Sequence, residues 1–395
     1  MNEDIVVVGY KRSPIGALSG SLSSLTSCEL GAGAIAGAVQ DAGIDAASVD
    51  SVIMGCVLQA GLGQAPARQA ALGAGLLPSS SCSTVNKVCG SGMQSIIYAS
   101  QALRLAEADF VVAGGMESMS GAPHLLSKAR KGYRLGHGEL SDHMFLDGLQ
   151  DATTSELMGF YAEDCAEKYQ FSRKAQDRFA IRSLERAQQS IRDGLFQREI
   201  APVHLPRGSI IVSDDELPLI LKSEKIPTLK PAFVRTDSPQ SATVTAANAS
   251  SIADGAAAVV LTRKSVALAH GLPILAKISA YSYHSHEPKW FTTAPVSAIA
   301  KLLEMQGLST SDIDLYEINE AFAVVTMAAI EELGLDEALV NIRGGACALG
   351  HPLGATGTRI VTSLLASLES EDKCRGLASL CIGGGEALAM ILERD

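Results

Sequence analysis

The chain has 395 residues, of which 19 % are charged, 47 % hydrophobic and 5 % aromatic. This length predicts two domains, or two halves with an insertion, and is ample for buried cores. The net charge of −11 and the isoelectric point near 5.3 argue against a protein whose main task is to hold nucleic acid or an anionic membrane, although a local basic patch can still hold an anionic ligand.

The amino terminus and the cysteines indicate a cellular compartment. The first apolar run, residues 5–8, follows two acidic residues and is too short for a signal or transit peptide. No segment reaches the roughly 18 uninterrupted apolar residues expected of a membrane span. The eight cysteines include no CxxC pair, which disfavours a zinc ribbon or a thioredoxin-type motif. We therefore expect a cytoplasmic protein with free thiols.

Short apolar runs alternate with helical stretches along the chain. The predicted buried strands lie at residues 5–8, 52–54, 110–113 and 378–382. The predicted helices lie at residues 29–42, 92–106 and 356–368. This alternation is typical of layered α/β architecture with a largely parallel sheet. Residues 119–248 interrupt the pattern, with many charges and a predicted helix at 172–193, and they predict an inserted subdomain that covers one end of the first half.

The two ends of the chain share an internal repeat. Residues 42–55 and 306–319 match at an offset of 264 residues, with Asp50 or Asp314 before an apolar strand in each copy. Residues 110–118 and 380–388 match glycine pair for glycine pair at a similar offset, about 269 residues. The repeat predicts two equivalent halves that pack as a pseudo-symmetric pair.

Three glycine-rich turns each carry a reactive side chain. Cys89, in VCGSG, stands at the predicted start of a helix, where the amides and the helix dipole would lower the pKa of the thiol and stabilise an oxyanion. His351, in GHPLG, is suited to take the proton of a thiol. Cys381, in CIGGG, can act as general acid and base if the reaction moves a proton on carbon. The structural alternatives are a small buried cysteine and a turn histidine bonded to backbone.

Polar residues also stand at the junction of a predicted strand and helix in YEINEAFA. Burying Asn319 and Glu320 is costly unless they are hydrogen-bonded, which predicts a role in holding water or orienting the histidine. The alternative is a helix N-cap by Asn319. His284 and His286 alternate without a third ligand nearby in the sequence, so we predict no metal site. No GxGxxG motif supports a dinucleotide site.

Six motifs can be read together: VNKVCGSGM, GGMESM, NASSIADGAAA, NEAFA, GGACALGHPLGATG and CIGGGEA. In this order and spacing they resemble the thiolases, specifically the acetyl-CoA acetyltransferase branch, over residues 5–392. The resemblance implies an α/β fold, duplicated and five-layered (αβαβα). It assigns residues 1–118 with 249–271 to an N-terminal half, 119–248 to an inserted loop domain and 272–395 to a C-terminal half. It also implies a homo-oligomer, a dimer of dimers joined by residues 124–145.

The activity implied by the resemblance is the reversible Claisen condensation of two acetyl-CoA molecules, or of acyl-CoA with acetyl-CoA, to 3-ketoacyl-CoA and CoA. Cys89 would be the acylated nucleophile, and His351 would activate it. His351 and a water held by Asn319 would form one oxyanion hole, and the amides of Cys89 and Gly383 a second. Cys381 would remove a proton from the second acetyl-CoA. CoA thioesters would be the substrates, and this chemistry needs no metal or redox cofactor.

The resemblance also implies a pocket for the pantetheine arm and the acyl group. Its lining would include Ser250, Leu157, Met158, Phe291 and Phe322. Leu157 stands where many short-chain members carry histidine, and Phe291 where they often carry methionine. A broader-chain 3-ketoacyl-CoA thiolase is therefore the alternative.

Two other functions are disfavoured by the motifs. A carrier-protein-dependent ketosynthase would use one cysteine with two histidines, whereas NEAFA and CIGGG occupy the partner positions here. A catalytically idle lipid-binding protein has no need of all the reactive residues, and this chain retains every one of them.

Overall fold

The computed structural model describes residues 3–205, 210–236 and 242–395. Up to residue 118 the elements are β1 (Ile5–Arg12), β2 (Gly16–Ala17), α1 (Ser27–Ala42), β3 (Ser51–Gly55), α2 (Pro66–Gly73), β4 (Ser81–Val85), α3 (Ser91–Arg104) and β5 (Phe110–Ser118). Residues 119–248 contribute β6 (His124–Leu126), β7 (Leu140–Asp142), α4 (Met158–Lys168), α5 (Arg173–Arg192), β8 (Val203–His204), β9 (Ile211–Val212) and α6 (Glu216–Ile220). The remaining elements are β10 (Ala253–Arg263), α7 (Lys264–Ala269), β11 (Ala276–Ser285), α8 (Ala294–Gln306), β12 (Leu315–Ile318), α9 (Ala323–Leu333), α10 (Ala346–Leu349), α11 (Leu353–Ser370), β13 (Arg375–Ile382) and β14 (Glu386–Glu393).

One mixed sheet runs through both halves in the order β12-β13-β14-β11-β1-β10-β5-β3-β4, with β2 paired to β10. Among the described strands, parallel pairing in this sheet is confined to its two ends, where β3 joins β4 and β5, and β12 joins β13. The prediction of a largely parallel sheet is therefore wrong. β13 turns into β14 through three residues, and so short a turn can only join antiparallel strands. β10 follows the long segment 119–248 and pairs antiparallel with both β1 and β5.

The layers follow the predicted αβαβα order. Helices α3 and α11 pack against each other between the two parts of the sheet, with α3 on β3 and β5 and α11 on β5, β10 and β13. Helices α1 and α2 cover the outer face of the first half, and α8 and α9 cover that of the second. The core between the layers is aliphatic, since Met93, Ile97, Ile360 and Leu364 are fully buried.

Glycine sets the distance between the two middle helices. A Cβ atom added to Gly357 would lie 3.0 Å from Cβ of Met93, and one added to Gly92 would lie 2.8 Å from the amide nitrogen of Thr358. Side chains at these two positions would push the helices apart. The close approach places the turn before α3 beside the turn before α11.

Asp50 and Asp314 have the same contacts in the two halves. Oδ2 of Asp50 accepts hydrogen bonds from the amides of residues 109 and 110 at 2.8 and 3.0 Å. Oδ2 of Asp314 accepts from the amides of residues 374 and 375 at 3.1 and 2.8 Å. Each aspartate therefore fixes the start of a strand that comes later in the chain, β5 for Asp50 and β13 for Asp314. This shared arrangement supports the predicted repeat.

The glycine pairs do not correspond in the structure. Ser51 pairs with Val111 and Leu315 pairs with Gly376, so β5 and β13 are equivalent at an offset of 265 residues (111 to 376) rather than 269. The two glycines of the first copy lie within β5, whereas residues 383–385 form the turn after β13. The sequence match aligned glycines that have different structural roles.

A buried ion network ties residues 119–248 to β1. Arg12 is fully buried, and its guanidinium bonds Glu199 at 2.6 Å and Asp215 at 2.7 and 2.9 Å. Residues 206–209 and 237–241 of the segment lie outside the described residues, and the proposed domain boundaries stay a prediction. None of the helices in the described ranges is long and apolar enough to cross a membrane.

We predict that Arg12→Met lowers the free energy of unfolding by about 3–5 kcal/mol, because it leaves the buried Asp215 without its cation and removes the nearer of the two cations at Glu199. Lys264→Met is the control, since Lys264 reaches Asp395 only at the exposed surface and should change stability by less than about 1 kcal/mol. Urea unfolding followed by circular dichroism measures both. Equal effects of the two substitutions would contradict the role given to Arg12.

Candidate active site

A cavity of about 550 Å³ brings together most of the residues predicted for the site. Eight of the ten line it: Cys89, His351, Gly383, Ser250, Leu157, Met158, Phe291 and Phe322. The other two, Asn319 and Cys381, are buried and do not line it. The lining comes from both halves of the fold and from residues 119–248.

Cys89 lies in a tight turn immediately before α3. Val88 adopts a φ of 48°, which is strained for a β-branched residue. Two hydrogen bonds of Ser91 hold the turn, because its hydroxyl accepts from the Lys87 amide at 2.8 Å and donates to the Val88 carbonyl at 2.6 Å. The strain is thus maintained at the residue that precedes the candidate nucleophile.

The Cys89 thiol is more basic than the sequence predicted. Burial raises its pKa to about 11, and the backbone amides of Gly383 and of Cys89 itself only partly oppose the rise. The predicted lowering of the thiol pKa by the helix start is wrong, because α3 begins two residues later and desolvation dominates. The same two amides face the sulfur, and they are the amides that the family resemblance assigns to an oxyanion hole.

The hydrogen bonds of His351 fix its tautomer. Nδ1 lies 2.6 Å from the hydroxyl of Thr356, and that hydroxyl donates its single hydrogen to the carbonyl of Pro352 at 2.9 Å. With the hydroxyl donating to that carbonyl, Nδ1 donates to the hydroxyl, and the lone pair of the ring is on Nε2. Nε2 is buried and has no hydrogen-bond partner within the described ranges.

The imidazole of His351 is neutral near pH 7. Burial, and secondly the charge of Arg359, lower its pKa to about 3. A neutral ring with a free lone pair can accept the proton of a thiol, whereas an imidazolium cannot. The ring can therefore accept a proton without prior deprotonation, as a general base must.

Asn319 follows β12 and does not cap a helix. Helix α9 begins at Ala323, with Phe322 at its N-cap position, so the N-cap alternative for Asn319 is wrong. Its Oδ1 accepts a hydrogen bond from Arg359 at 3.3 Å, and its Nδ2 is buried without a partner in the described part of the chain. A buried amide donor is thus left available.

Glu320, the neighbour of Asn319, makes hydrogen bonds that hold parts of the fold together. Its carboxylate accepts hydrogen bonds from the hydroxyl of Ser183 at 2.7 Å, the side-chain amide of Asn341 at 2.8 Å and the backbone amide of Cys347 at 3.1 Å. These bonds connect three parts of the chain: α5, the loop that follows α9, and helix α10.

Cys381 is the penultimate residue of β13 and is fully buried. Burial, and secondly the charge of Cys89, raise its pKa well above the ordinary value of a thiol. Cys381 packs in one hydrophobic cluster with Phe291 and Phe322, which line the cavity. The following turn needs glycine, because residues 384 and 385 adopt φ values of 94° and 88°.

Two residues near the site, Glu117 and Arg359, escaped the sequence analysis as individuals. Glu117 accepts hydrogen bonds from the amides of residues 57, 58 and 354 at 2.8–3.0 Å, and so holds the start of α11 against the first half. Burial raises its pKa to about 6. Thr356 and Arg359 lie on α11, where Arg359 is the one charged residue before Glu369, and that isolated charge was the available signal for it.

An aromatic wall lines the cavity opposite the polar groups. Phe322 packs edge to face with Phe233 and Phe291, with ring centroids 6.3 and 6.2 Å apart. Phe233 was not predicted. Within the described residues, no group of three or more His, Cys, Asp or Glu side chains is placed to hold a metal ion.

Comparisons with known proteins agree with this geometry. Residues 5–265 match the thiolase N-terminal domain and residues 272–394 the thiolase C-terminal domain. The chain is 49 % identical over 394 residues to acetyl-CoA acetyltransferase 2 of Arabidopsis thaliana, covering 99 % of this chain and 97 % of that protein. It is 47 % identical to acetyl-CoA acetyltransferase of Escherichia coli (strain K12), covering 99 % of each.

A solved structure has the same fold. The Acat5 thiolase from Ascaris suum, in complex with coenzyme A, superposes with a TM-score of 0.94 at 40 % identity and covers 100 % of both chains. The chain therefore belongs to the thiolase family.

We predict that alkylation of Cys89 accelerates with pH up to at least pH 9, since its pKa lies near 11 and the thiolate is the reactive form. The measurement is the rate of carbamidomethylation of the Cys89 peptide by iodoacetamide, followed by mass spectrometry. Cys374, an exposed thiol outside the site, is labelled in the same samples as a reference. A rate for Cys89 that levels off below pH 8 would contradict the assigned environment.

Proposed function

We propose that this chain is an acetyl-CoA C-acetyltransferase. It condenses two acetyl-CoA molecules reversibly to acetoacetyl-CoA and CoA through an acyl-cysteine intermediate. The observation that carries the proposal is one cavity that joins Cys89, His351 and Gly383, with Cys381 buried in the hydrophobic cluster of Phe291 and Phe322, which line that cavity. The coenzyme A in the Ascaris structure and the names of the relatives support CoA thioesters as substrates.

In the first step Cys89 is acylated. Its sulfur attacks the carbonyl carbon of acetyl-CoA while Nε2 of His351 takes the thiol proton. The bond from carbon to the CoA sulfur then breaks, and the proton passes to that sulfur. Because the thiol and the imidazole are both uncharged beforehand, proton transfer must accompany the attack.

In the second step a carbon–carbon bond forms. Cys381 first gives its proton to Nε2 of His351, and its thiolate then takes a proton from C2 of the second acetyl-CoA. That carbon attacks the acyl group on Cys89. The bond from the acyl carbon to the Cys89 sulfur breaks, and His351 returns its proton to that sulfur, so that both thiols and the imidazole end uncharged.

Developing negative charge on the thioester oxygens needs hydrogen-bond donors. The amides of Cys89 and Gly383 form one such site. His351 and a water held by Asn319 form the other. Condensation of two thioesters changes no oxidation state, so the proposal includes no metal or redox cofactor.

Acetyl groups are the proposed substrates despite the substitutions at Leu157 and Phe291. The relatives named acetyl-CoA acetyltransferase match over nearly the whole chain at 43–49 % identity, which favours this specificity over a broader-chain thiolase. Both side chains line the cavity, where they would contact an acyl group longer than acetyl.

The proposed setting is the cytoplasm, and the proposed assembly is a dimer of dimers. The hairpin β6–β7 supports the assembly, because it carries three exposed leucines, Leu126, Leu135 and Leu140, exposed by 47 %, 96 % and 66 %. Apolar side chains so exposed on a hairpin are typical of a protein interface.

We predict that the purified protein cleaves acetoacetyl-CoA when CoA is added, as measured by loss of 3-ketoacyl thioester absorbance. Cys89→Ser should abolish acyl-enzyme formation, since the nucleophile is lost. Cys381→Ala should still form the acyl-enzyme, detected by intact mass, but should lose at least about 10³-fold in kcat.

Cys374→Ser is the control for these variants, because Cys374 is exposed and lies away from the cavity. It should retain full activity. Wild-type protein that turns over neither acetoacetyl-CoA nor longer 3-ketoacyl-CoA would refute the thiolase function. A Cys381→Ala variant that cannot be acylated would refute the division of roles.

We predict that Leu135→Asp converts tetramers to dimers, because a carboxylate at this position opposes burial of the hairpin. Light scattering after size exclusion measures the mass. Leu105→Asp is the matched control, since Leu105 is 72 % exposed and lies outside the hairpin. If Leu135→Asp and wild type have the same mass, the hairpin does not join dimers.

A further inference from the structure

Arg359 is a buried cation beneath the active site. It has no role in the mechanism proposed above. It lies on α11, its side chain is 2 % exposed, and it touches two residues of the strand β12 region. Nη1 lies 3.3 Å from Oε2 of Glu317, and Nη2 lies 3.3 Å from Oδ1 of Asn319. Its Nε has no hydrogen-bond partner in the described part of the chain.

These contacts do not offset the cost of burying a guanidinium, so packing alone does not explain why an arginine lies here. Burying a guanidinium carries a desolvation penalty of several kcal/mol, which only excellent geometry and full hydrogen bonding offset. Here one ion pair is long, one bond goes to a neutral amide, and one donor lacks a partner. An apolar side chain, like those of Ile360 and Leu364 on the same helix, would fill the space without this penalty.

The contact with Asn319 fixes which end of its amide faces the reacting groups. A guanidinium has donors but no acceptor, so only the oxygen of an amide can face it. The NH₂ group of Asn319 is therefore turned away from Arg359, and it is buried with no partner among the described residues. Rotating the amide by 180° would set donor against donor in a buried site, which is costly.

We infer that Arg359 is a positioning residue that holds the side-chain amide of Asn319 with its N–H donors toward the reacting thioester. The inference rests on the proposed thiolase function and adds a residue to it. Arg359 acts through Asn319 and does not touch the substrate. Its charge also contributes to the low pKa of His351, which is consistent with a position close to the reacting groups.

A double-mutant cycle tests the inference. Arg359→Met should lower kcat for acetoacetyl-CoA cleavage by about 10²-fold, with KM within about 3-fold of wild type, because one donor to a developing oxyanion is lost. Asn319→Ala should lower kcat to a similar extent. Since the two residues act as a unit, adding Arg359→Met to Asn319→Ala should change kcat by less than about 3-fold.

Arg343→Met is the matched control. Arg343 is also 2 % exposed and lies 3.8 Å from the buried Glu199, but its hydrogen bonds go to Leu195, Ala366 and Ser370 rather than to Asn319. It should lower the melting temperature while leaving kcat within about 3-fold of wild type. Arg359→Lys keeps the positive charge and N–H donors on a single nitrogen, and provides a second variant if Arg359→Met does not fold; it should recover part of the lost kcat.

The outcomes separate the two claims. If the effects of Arg359→Met and Asn319→Ala multiply, or if Arg343→Met lowers kcat as much as Arg359→Met, the positioning role is overturned. If Arg359→Met and Arg359→Lys both retain wild-type kcat, the role is also overturned. Absence of wild-type turnover overturns the proposed function itself, and the inference with it.

Discussion

The contact between helices α3 and α11 is the constraint on which the site depends. The helices meet backbone to backbone because Gly92 and Gly357 leave no side chain between them. Cys89 lies just before the first helix and His351 just before the second. Each half of the fold thus contributes one reactive group, and the distance between the halves is set by packing at the centre of the molecule.

Burial in this central layer also determines the protonation of the reacting groups. The pKa of Cys89 rises to about 11 and that of His351 falls to about 3, in both cases chiefly because burial disfavours charge. The two side chains are therefore neutral before reaction, and in the proposed mechanism they become an ion pair only during reaction. The amides of Gly383 and Cys89 stabilise the charge at the sulfur and, in the proposed mechanism, at the thioester oxygen.

A second layer of buried charge supports the reacting groups. Arg12 joins the segment 119–248 to β1, and Glu117 joins the start of α11 to the first half. Arg359 connects α11 to Asn319. These ion pairs and hydrogen bonds link elements that are distant in sequence, and they orient polar atoms that would otherwise be free to rotate.

The sequence by itself predicted the α/β fold class, the correspondence of Asp50 with Asp314 and a set of candidate reactive residues, most of which line one cavity in the structure. These predictions needed only the NEAFA motif and the glycine-rich turns around Cys89, His351 and Cys381, because each motif encodes local backbone geometry and a specific chemical group. Only the tertiary structure decided the antiparallel pairing of β10 and β14, the raised pKa of Cys89 and the orientation of Asn319 by Arg359. Strand direction, desolvation and hydrogen-bond polarity depend on neighbours far along the chain, which no local pattern specifies.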